Sequence, residues 1–466
     1  MRRPNILILY TDQQRWDALG VEGNPDITTP HLDALAQAGV RFNHHFVQSP
    51  VCMPSRASML TGCYPATLGV QHMGVPLPLD TATLPRLLRN YGYFSGNIGK
   101  LHFQPHANRD HRQTHPTYGF DQLEISDEPG CYEDAYRAWV RRKAPQHLDD
   151  VSLGLPPATQ TWQRTMGVRD GIRHPQERFP HQPVAFRGPD DLSHTAFVAE
   201  QTLAFLQAQH DRPFLCVAGF YSPHSPWVAP QRFLDLYDPA RFTLPPFPAE
   251  LQARRDATRC GDADLRAARH GYYGMVSEVD HHVGRILDGL NALGLAQNTI
   301  VVFTSDHGEW LGEHLRYGKG HPAHDCVSRV PLIVRWPAGG IAAGRCVPQF
   351  VEAVDLVPTL LECAGVPLPG ELQGHSLLPA LRGEPYVGRD SVLTEHEGWK
   401  TLRTARYRYL CHADGREALY DLEADPLGYV EVVADPAHRE ALAACRHTLV
   451  RRLLERERPL PRTWTY

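Results

Sequence analysis

The sequence predicts an α/β fold, with a large and mostly parallel sheet flanked by helices and a smaller α+β domain after it. Apolar runs typical of buried strands alternate with helical patterns along residues 1–375 of the 466-residue chain. This alternation indicates a parallel sheet with helices on both faces. Residues 376–466 change to short alternating strands and a final helix. We therefore expect a large domain over 1–375 and a small domain with an antiparallel sheet over 376–466.

The predicted strands of the large sheet are apolar almost throughout, as strands buried on both faces should be. They are Ile6–Tyr10, Tyr93–Ile98, Phe214–Phe220, Thr299–Thr304 and Val330–Val334. The helical segments predicted between them place apolar residues on one face of a helix. They are Thr29–Gly39, Leu84–Asn90, Thr195–Gln209, Met275–Leu293 and Ala353–Ala364.

Two regions depart from this alternation. Residues 104–191 are rich in proline, histidine, arginine and glycine, and their apolar periodicity is weak. We interpret them as an insertion of loops and short helices that walls a functional site or makes subunit contacts, so a homo-oligomer is left open. In the small domain we predict strands Ser391–Glu395, Thr401–Arg403 and Tyr407–Cys411 and a helix near Arg439–Arg456.

Composition excludes several classes of protein. A hydrophobic content of 42% and a charged content of 21% exclude wholesale disorder, and a net charge of −5 disfavours nucleic acid or an anionic membrane as the main partner. The first apolar run ends at Asp12, too soon for a signal peptide, and no apolar run is long enough to span a membrane. We expect a cytoplasmic protein. Its ten cysteines form no Cys-x-x-Cys pair and are expected to be reduced.

The most informative segment places Cys52 at the mouth of a predicted helix. Pro54 suits the first helical turn, and Arg56 lies one turn further on. Free N–H groups and the positive end of the helix dipole would make this an anion site, to which Arg56 adds a cation. A nucleophile for a phosphate or sulfate ester belongs there. A cysteine phosphatase requires an arginine six positions after the cysteine, where this chain has Ser58.

Two strand ends carry possible metal ligands. Asp12 and Gln13 follow the first predicted strand, and Asp306 and His307 follow the strand Thr299–Thr304. Taken singly, each aspartate is equally consistent with a cap on the turn after its strand. If the two strands are neighbours, their carboxyl ends bring oxygen ligands and one imidazole together around a divalent cation.

Residues 50–65 resemble the type I sulfatases of the alkaline phosphatase-like superfamily. The family's Cys-x-Pro-Ser-Arg followed by Thr-Gly-x-Tyr-Pro is matched at every specified residue. The resemblance implies that a formylglycine-generating enzyme oxidises Cys52 to formylglycine, whose hydrate is the nucleophile that cleaves a sulfate monoester. It further implies that Asp12, Gln13, Asp306 and His307, with residue 52, hold one metal ion. Calcium is usual in the family. Many members have Asp at position 13 and Asn at 307, so manganese or zinc is also open.

Four further residues lie in contexts similar to those of the family. Lys100 and His102 end the segment Gly92–His102, His224 lies in a Pro-His-x-Pro sequence, and Lys319 follows Asp306 by thirteen positions. The resemblance implies that Arg56 polarises the nucleophile and that Lys100 and Lys319 hold the sulfuryl oxygens. By the same analogy His102 assists release of sulfate, and His224 with Lys319 protonates the leaving oxygen.

Two other functions compete with hydrolysis of a small-molecule or carbohydrate sulfate ester. Relatives in the same superfamily hydrolyse phosphonate monoesters or phosphodiesters and share Gln13 and His307, although Lys100 and His102 favour the sulfatase. The chain would instead be a non-catalytic binder of sulfated ligands if Cys52 were never modified. The released alcohol is not specified, and candidate loops for its pocket are Gln71–Met73, the region of Trp227, His321–Asp325 and Glu397–Lys400.

Overall fold

The structure is a computed structural model that describes residues 3–154, 159–167, 171–175 and 182–457. Its strands, in chain order β1 to β16, are Asn5–Thr11, Val40–Phe42, His45–Phe46, Phe94–Gly99, Gln122–Ile125, Val184–Ala185, Phe214–Gly219, Val228–Ala229, Thr299–Ser305, Leu332–Arg335, Arg345–Val347, Val351–Glu352, Ser391–His396, Trp399–Thr404, Tyr407–His412 and Glu417–Asp421. Its α-helices, α1 to α14, are Pro30–Gln37, Cys52–Thr61, Pro65–Leu68, Leu84–Arg89, Ala135–Lys143, Thr159–Met166, His194–Ala208, Gln231–Leu234, Ala249–Gln252, Asp262–Ala292, Asp325–Ser328, Leu356–Cys363, Leu378–Arg382 and Arg439–Leu454.

The large sheet has eight strands in the order β11-β2-β10-β9-β1-β7-β4-β5. Only β10 runs antiparallel to its neighbours β9 and β2, and the other pairs are parallel. The second sheet is antiparallel, in the order β13-β14-β15-β16. The predicted fold class is therefore confirmed.

The central strands are buried on both faces. Ile6 and Ile8 of β1 point into a core that includes residues of α2 and α12, whereas Leu7 and Leu9 point into a second core with α1, α7 and α10. Alternate residues of a strand project to opposite faces, so a sheet covered on both sides requires an apolar run rather than an alternating one. This is why these strands could be recognised from sequence.

The structure differs from the sequence prediction in several places, of which these bear on the sheets and the long helix. The segment 104–191 contains an edge strand, β5, which pairs in parallel with β4. The predicted helix Met275–Leu293 begins earlier and covers Asp262–Ala292. The short strands at Val40–Phe42 and Glu417–Asp421 were not predicted. Such short or half-exposed strands have too few apolar residues to show a clear period.

A buried ion-pair network joins the last helix to the large domain. Arg452 of α14 lies 2.9 Å from Glu352, which also contacts Arg389 at 2.9 Å. The hydroxyl of Tyr64 donates to the same glutamate and accepts from Arg452 at 2.7 Å. No helix among the described residues is long and apolar enough to cross a membrane.

Candidate active site

Neighbouring strands of the large sheet end at one edge and carry the predicted site residues there. β1 and β9 are parallel and in register along their whole length, so Asp12 and Asp306 leave the sheet side by side. On its other side β1 pairs with β7, and β7 pairs with β4. This order brings Lys100 and the loop of His224 to the same edge. Ligands of open α/β sheets bind beyond such carboxyl ends.

Cys52 faces this edge from the first position of α2. The helix follows an extended Val51 and is buried along its whole length. Cys52 Sγ lies 3.2 Å from His307 Nε2 and 2.5 Å from Lys319 Nζ. The predicted helix mouth is therefore a contact point of three chemically active side chains.

The unmodified thiol of Cys52 is not an activated nucleophile. Burial, together with the nearby Asp12 carboxylate, raises the pKa of the thiol to about 11. Catalytic cysteines that attack as thiolates have a pKa below the ordinary value. The environment therefore disfavours the cysteine-phosphatase alternative and is consistent with a cysteine that is converted to another group.

Arg56 lies beneath the cluster and holds its carboxylates. Its Nε donates to Asp306 Oδ2 at 2.7 Å, and its Nη2 lies 3.4 Å from Asp12 Oδ2. Its Nη1 donates to the carbonyl oxygen of Lys100 at 3.0 Å. These contacts differ from the expectation that the guanidinium group is directed at Cys52. Two buried carboxylates attract the cation more strongly than a neutral thiol does.

A divalent cation fits the space between Asp12, Cys52, Asp306 and His307. Their possible ligand atoms lie within 4.8 Å of one another. His307 Nδ1 donates to the carbonyl oxygen of Gly308 at 2.9 Å, so the lone pair is on Nε2, 3.6 Å from an oxygen of each aspartate. Burial lowers the pKa of His307 and favours the neutral ring that binds metals.

Gln13 adds an oxygen to this donor set. Its backbone is left-handed, with φ 68°, and its N–H donates to Asp306 Oδ1 at 3.1 Å. Its Nε2 donates to Glu309, and its Oε1 is buried with no hydrogen-bond partner in the part of the chain that the structure describes. An unsatisfied buried acceptor is costly, and a bound cation would satisfy it.

Lys100 and His102 form the wall next to β4. Lys100 Nζ forms an ion pair with Asp12 Oδ2 at 2.7 Å. Burial disfavours this charge, but the neighbouring anionic groups, with Asp12 the largest of them, together outweigh burial and raise the pKa of Lys100. His102 is buried in a left-handed conformation, φ 57°. Burial and the adjacent His106 ring place the pKa of His102 well below its ordinary value, so the ring is neutral.

Lys319 and His224 form a second pair of basic side chains at the site. His224 Nδ1 donates to the carbonyl oxygen of Ser225 at 2.6 Å, which leaves Nε2 to accept from Lys319 Nζ at 2.9 Å. Burial and the neighbouring ammonium group lower the pKa of His224 well below its ordinary value. The ammonium group of Lys319 therefore donates a hydrogen bond to the neutral imidazole of His224 next to residue 52.

Sequence reasoning missed Asp127, which supports the Lys100–His102 turn. Its Oδ1 accepts the backbone N–H groups of Leu101 and His102, each at 2.9 Å. Asp127 lies just beyond the carboxyl end of β5, as Asp12 does beyond β1. That signal was hidden because β5 was not recognised within residues 104–191.

Residues of the same segment, 104–191, pack against the ring of His102. The ring of His102 lies 4.5 Å from the ring of His106, and His106 is 5.7 Å from Tyr132. Tyr132 in turn stacks on His111 at 3.7 Å. This segment therefore contacts His102 through the ring of His106.

Comparison with known proteins identifies the family. The sulfatase family profile matches residues 4–366. The chain belongs to the sulfatase family. A profile for the C-terminal part of N-sulphoglucosamine sulphohydrolase matches residues 312–456 of this sulfatase. Both the predicted resemblance and the predicted enzyme class, a sulfuric ester hydrolase, are confirmed.

Three relatives show how far this similarity extends. The sulfatase is 29% identical to the ulvan-active sulfatase of Formosa agariphila over 448 residues, 93% of this chain and 78% of that protein. It is 28% identical to the arylsulfatase of Clostridium perfringens over 490 residues, 98% of this chain and 95% of that protein. The crystal structure of the phosphonate monoester hydrolase of Agrobacterium radiobacter matches with a TM-score of 0.81 and 28% identity, covering 97% and 96% of the two chains. The family implies a metal ion and a formylglycine, and the buried Asp/Cys/Asp/His group accommodates an ion.

Proposed function

We propose that this sulfatase hydrolyses a sulfate monoester with the modified residue 52 as its nucleophile. In this proposal one divalent ion is held by Asp12, Gln13, Asp306 and His307. One observation carries the proposal. Cys52 Sγ lies within 3.2 Å of both Lys319 Nζ and His307 Nε2, so the modified residue would face a cationic donor and a metal ligand together. Cationic groups placed around the sulfuryl oxygens stabilise the charge that develops during sulfate ester hydrolysis.

The nucleophile and its activation would come from the formylglycine and the metal ion. When bound, the ion would stabilise negative charge, and a formylglycine at position 52 would provide an aldehyde hydrate. The family's usual ion is calcium, and we propose it here with manganese and zinc as the alternatives. Gln13 and His307 add a neutral oxygen and a nitrogen to two carboxylates, a set that softer ions also accept.

Lysine side chains hold the transferring group. Lys319 Nζ lies 2.5 Å from Cys52 Sγ, so it reaches any oxygen bonded at that position. Lys100 Nζ is held at the same site by Asp12 at 2.7 Å. Both ammonium groups are held by the fold before substrate arrives. Such preorganised charge stabilises the transition state without reorganisation.

Proton transfer is assigned to Lys319 with His224, and to His102. The departing alcohol oxygen needs a proton, and Lys319 is a donor whose contact with the neutral His224 lets the imidazole share in the transfer. His102 has both ring nitrogens buried without a hydrogen-bond partner among the described residues. It is therefore free to accept a proton in the step that releases sulfate.

We assign the alcohol part of the substrate to a cavity of about 470 Å³ lined by Gly69, Gln71, His72, Glu397 and Gly398. The loop bearing His72 reaches the site, because Gly74 N donates to the Sδ of Met53, the residue after Cys52. An amide, an imidazole and a carboxylate favour a hydroxylated alcohol over a purely apolar one. A small-molecule or carbohydrate sulfate ester is the proposed substrate class.

Other predicted lining segments differ in their position. His321, two residues after Lys319, stacks on Trp399 with ring centroids 4.0 Å apart. Trp227 is buried in a core cluster with Tyr272, and a role for its region in the pocket stays a prediction.

The experiment that tests the proposal uses protein co-expressed with a formylglycine-generating enzyme. Intact mass should show conversion of Cys52 to the aldehyde, and an aryl sulfate should then be hydrolysed. Cys52→Ala should fold and bind the ion but lose turnover by several orders of magnitude. Equal activity of Cys52→Ala and the converted protein would refute the assigned nucleophile. An unmodified thiol in protein from the native host would support the non-catalytic binder.

A further inference from the structure

Glu309 is a buried carboxylate that has no role in the proposed mechanism. It follows the metal-ligand pair Asp306 and His307 by two residues and is fully buried. None of the ion pairs among the described residues includes it. A carboxylate buried without a cation must be satisfied by hydrogen bonds alone.

Those hydrogen bonds assign each oxygen of Glu309. Its Oε1 accepts the backbone N–H of Leu311 at 3.0 Å and also the backbone N–H of Gly318. Its Oε2 accepts Nε2 of Gln13. Leu311 and Gly318 come from the loop that leads to Lys319, whereas Gln13 follows β1. One carboxylate thus joins two separate parts of the site.

The chemistry of Glu309 decides which way the Gln13 amide points. Both oxygens of Glu309 act as acceptors in the structure, and Oε2 faces the NH2 of the Gln13 amide and not its oxygen. The Gln13 oxygen is thereby turned away, and it is buried without a hydrogen-bond partner in the described part of the chain. The backbone N–H of Gln13 is already bonded to Asp306 at 3.1 Å, which fixes the residue beside the ligand set.

We propose that Glu309 is a positioning residue that orients the Gln13 amide so that its oxygen, and not its nitrogen, faces the metal ion. This inference rests on the metal site of the proposed function. An amide nitrogen has no lone pair to donate to a cation, so the reversed amide would remove one ligand. Through Gly318, the same carboxylate also anchors the backbone next to Lys319.

A pair of substitutions tests the orientation directly. In Glu309→Gln, the new amide keeps an oxygen for Leu311 and Gly318 and presents NH2 to Gln13. The Gln13 amide must then turn its oxygen toward position 309 and its nitrogen toward the ion. We expect the affinity for divalent ions to fall tenfold or more, in the range seen when an outer-shell partner of a metal ligand is lost.

The double variant Gln13→Glu with Glu309→Gln should reverse the loss. A carboxylate at position 13 accepts from the NH2 at position 309 and still offers an oxygen to the ion. The total charge and the number of heavy atoms stay the same. We expect its affinity to return most of the way to that of the wild type, which loss of packing alone would not allow.

Metal affinity is measured by calorimetric titration of metal-free protein with Ca²⁺, Mn²⁺ and Zn²⁺, independently of turnover. Circular dichroism and thermal unfolding check that each variant folds. Asp280→Asn is the matched control, because Asp280 is also a buried carboxylate that accepts backbone N–H groups, those of His31 and Leu32 in α1. Its metal affinity should equal that of the wild type.

The outcomes separate this inference from the proposed function. If wild-type protein binds ions and Glu309→Gln binds them equally well, the inference is overturned while the metal site stands. Equal losses in the single and double variants also overturn it, because orientation would then not be the cause. If the wild type binds no divalent ion, the metal site and the inference fall together, although hydrolysis of an aryl sulfate would still be measurable.

Discussion

The ammonium group of Lys319 lies 2.5 Å from the sulfur of Cys52, although the two residues are 267 positions apart. The lysine comes from the loop after β9, and the cysteine begins α2. His224, from a third element, contacts the same ammonium group at 2.9 Å. The proposed proton donor and the nucleophile position are therefore set by the loops after two strands of one sheet, β7 and β9, and by α2.

Lys319→Met should slow hydrolysis most for alcohols that leave poorly. A good leaving group departs without a proton, whereas a poor one requires the donor. We expect kcat to fall roughly 10²–10⁴-fold for an alkyl sulfate and less for 4-nitrophenyl sulfate. The measurement is the dependence of kcat/KM on the pKa of the leaving phenol across substituted aryl sulfates, which should steepen.

Lys143→Met is the control for that series. Lys143 pairs with Glu200 at 2.8 Å on the outer surface and is remote from Cys52 in the fold. Its substitution should leave the leaving-group dependence unchanged. A uniform loss across all leaving groups in Lys319→Met would assign the lysine to sulfuryl binding alone.

Arg452→Ala should destabilise the protein while leaving the active site intact. The substitution removes one cation from the buried Glu352, which keeps Arg389 at 2.9 Å. Loss of one partner from a buried ion pair costs about 3 kcal/mol. Chemical denaturation measures this change, and kcat/KM of the folded variant should equal that of the wild type.

Arg446→Ala supplies the matched comparison. Arg446 lies on the same helix but pairs with Glu417 at the surface, where its side chain is 52% exposed. Exposed pairs contribute roughly 0–1 kcal/mol. Equal destabilisation by the two variants would show that the buried network does not hold the last helix in place.

The fold and most of the site could be predicted because their signals are local. Asp12 and Asp306 each follow a mostly apolar strand, and Cys52 lies in a short motif in which most residues are specified. The contacts of Arg56 could not be predicted, since they depend on which strands become neighbours. Glu309 follows Asp306 by three positions, but its role could not be predicted, because its partner Gln13 is 296 positions away.

Acid should remove a stabilising contribution from Asp325. Burial raises the pKa of this carboxyl, but Arg408 at 2.7 Å and Arg403 outweigh it and lower the pKa to about 2. The unfolded value is about 3.9, so the unfolded chain binds the proton first. The contribution is complete above about pH 5 and is lost as pH falls toward 2.

Asp325→Asn isolates this effect. The difference in unfolding free energy between wild type and variant should shrink by about 2 kcal/mol between pH 5 and pH 2, measured by urea denaturation. A constant difference for Asp325→Asn across this range would show that the carboxylate is not stabilised by its arginines.

The fold also matches a phosphonate monoester hydrolase with a TM-score of 0.81, so the preference between sulfate and phosphonate esters has to be measured. A sulfate monoester carries one negative charge over three oxygens, each of which can meet a cationic donor. A phosphonate monoester has the same charge but replaces one oxygen with an organic group. That group needs space on the side where Lys100 Nζ is held 2.7 Å from Asp12 and where His102 is buried.

Sulfate esters should therefore be hydrolysed with the higher kcat/KM, and the double variant Lys100→Thr with His102→Thr should reduce that preference by removing both the charge and the bulk. The assay compares an aryl sulfate with an aryl phosphonate bearing the same phenol on one formylglycine-containing preparation, so that leaving group and nucleophile content are equal. The double variant should lose activity toward the sulfate more than toward the phosphonate, because the sulfate presents a third non-bridging oxygen to Lys100 where the phosphonate has its organic group. A tenfold preference of the wild type for the phosphonate, equivalent to about 1.4 kcal/mol in the transition state, would reassign the site to phosphonate monoester hydrolysis.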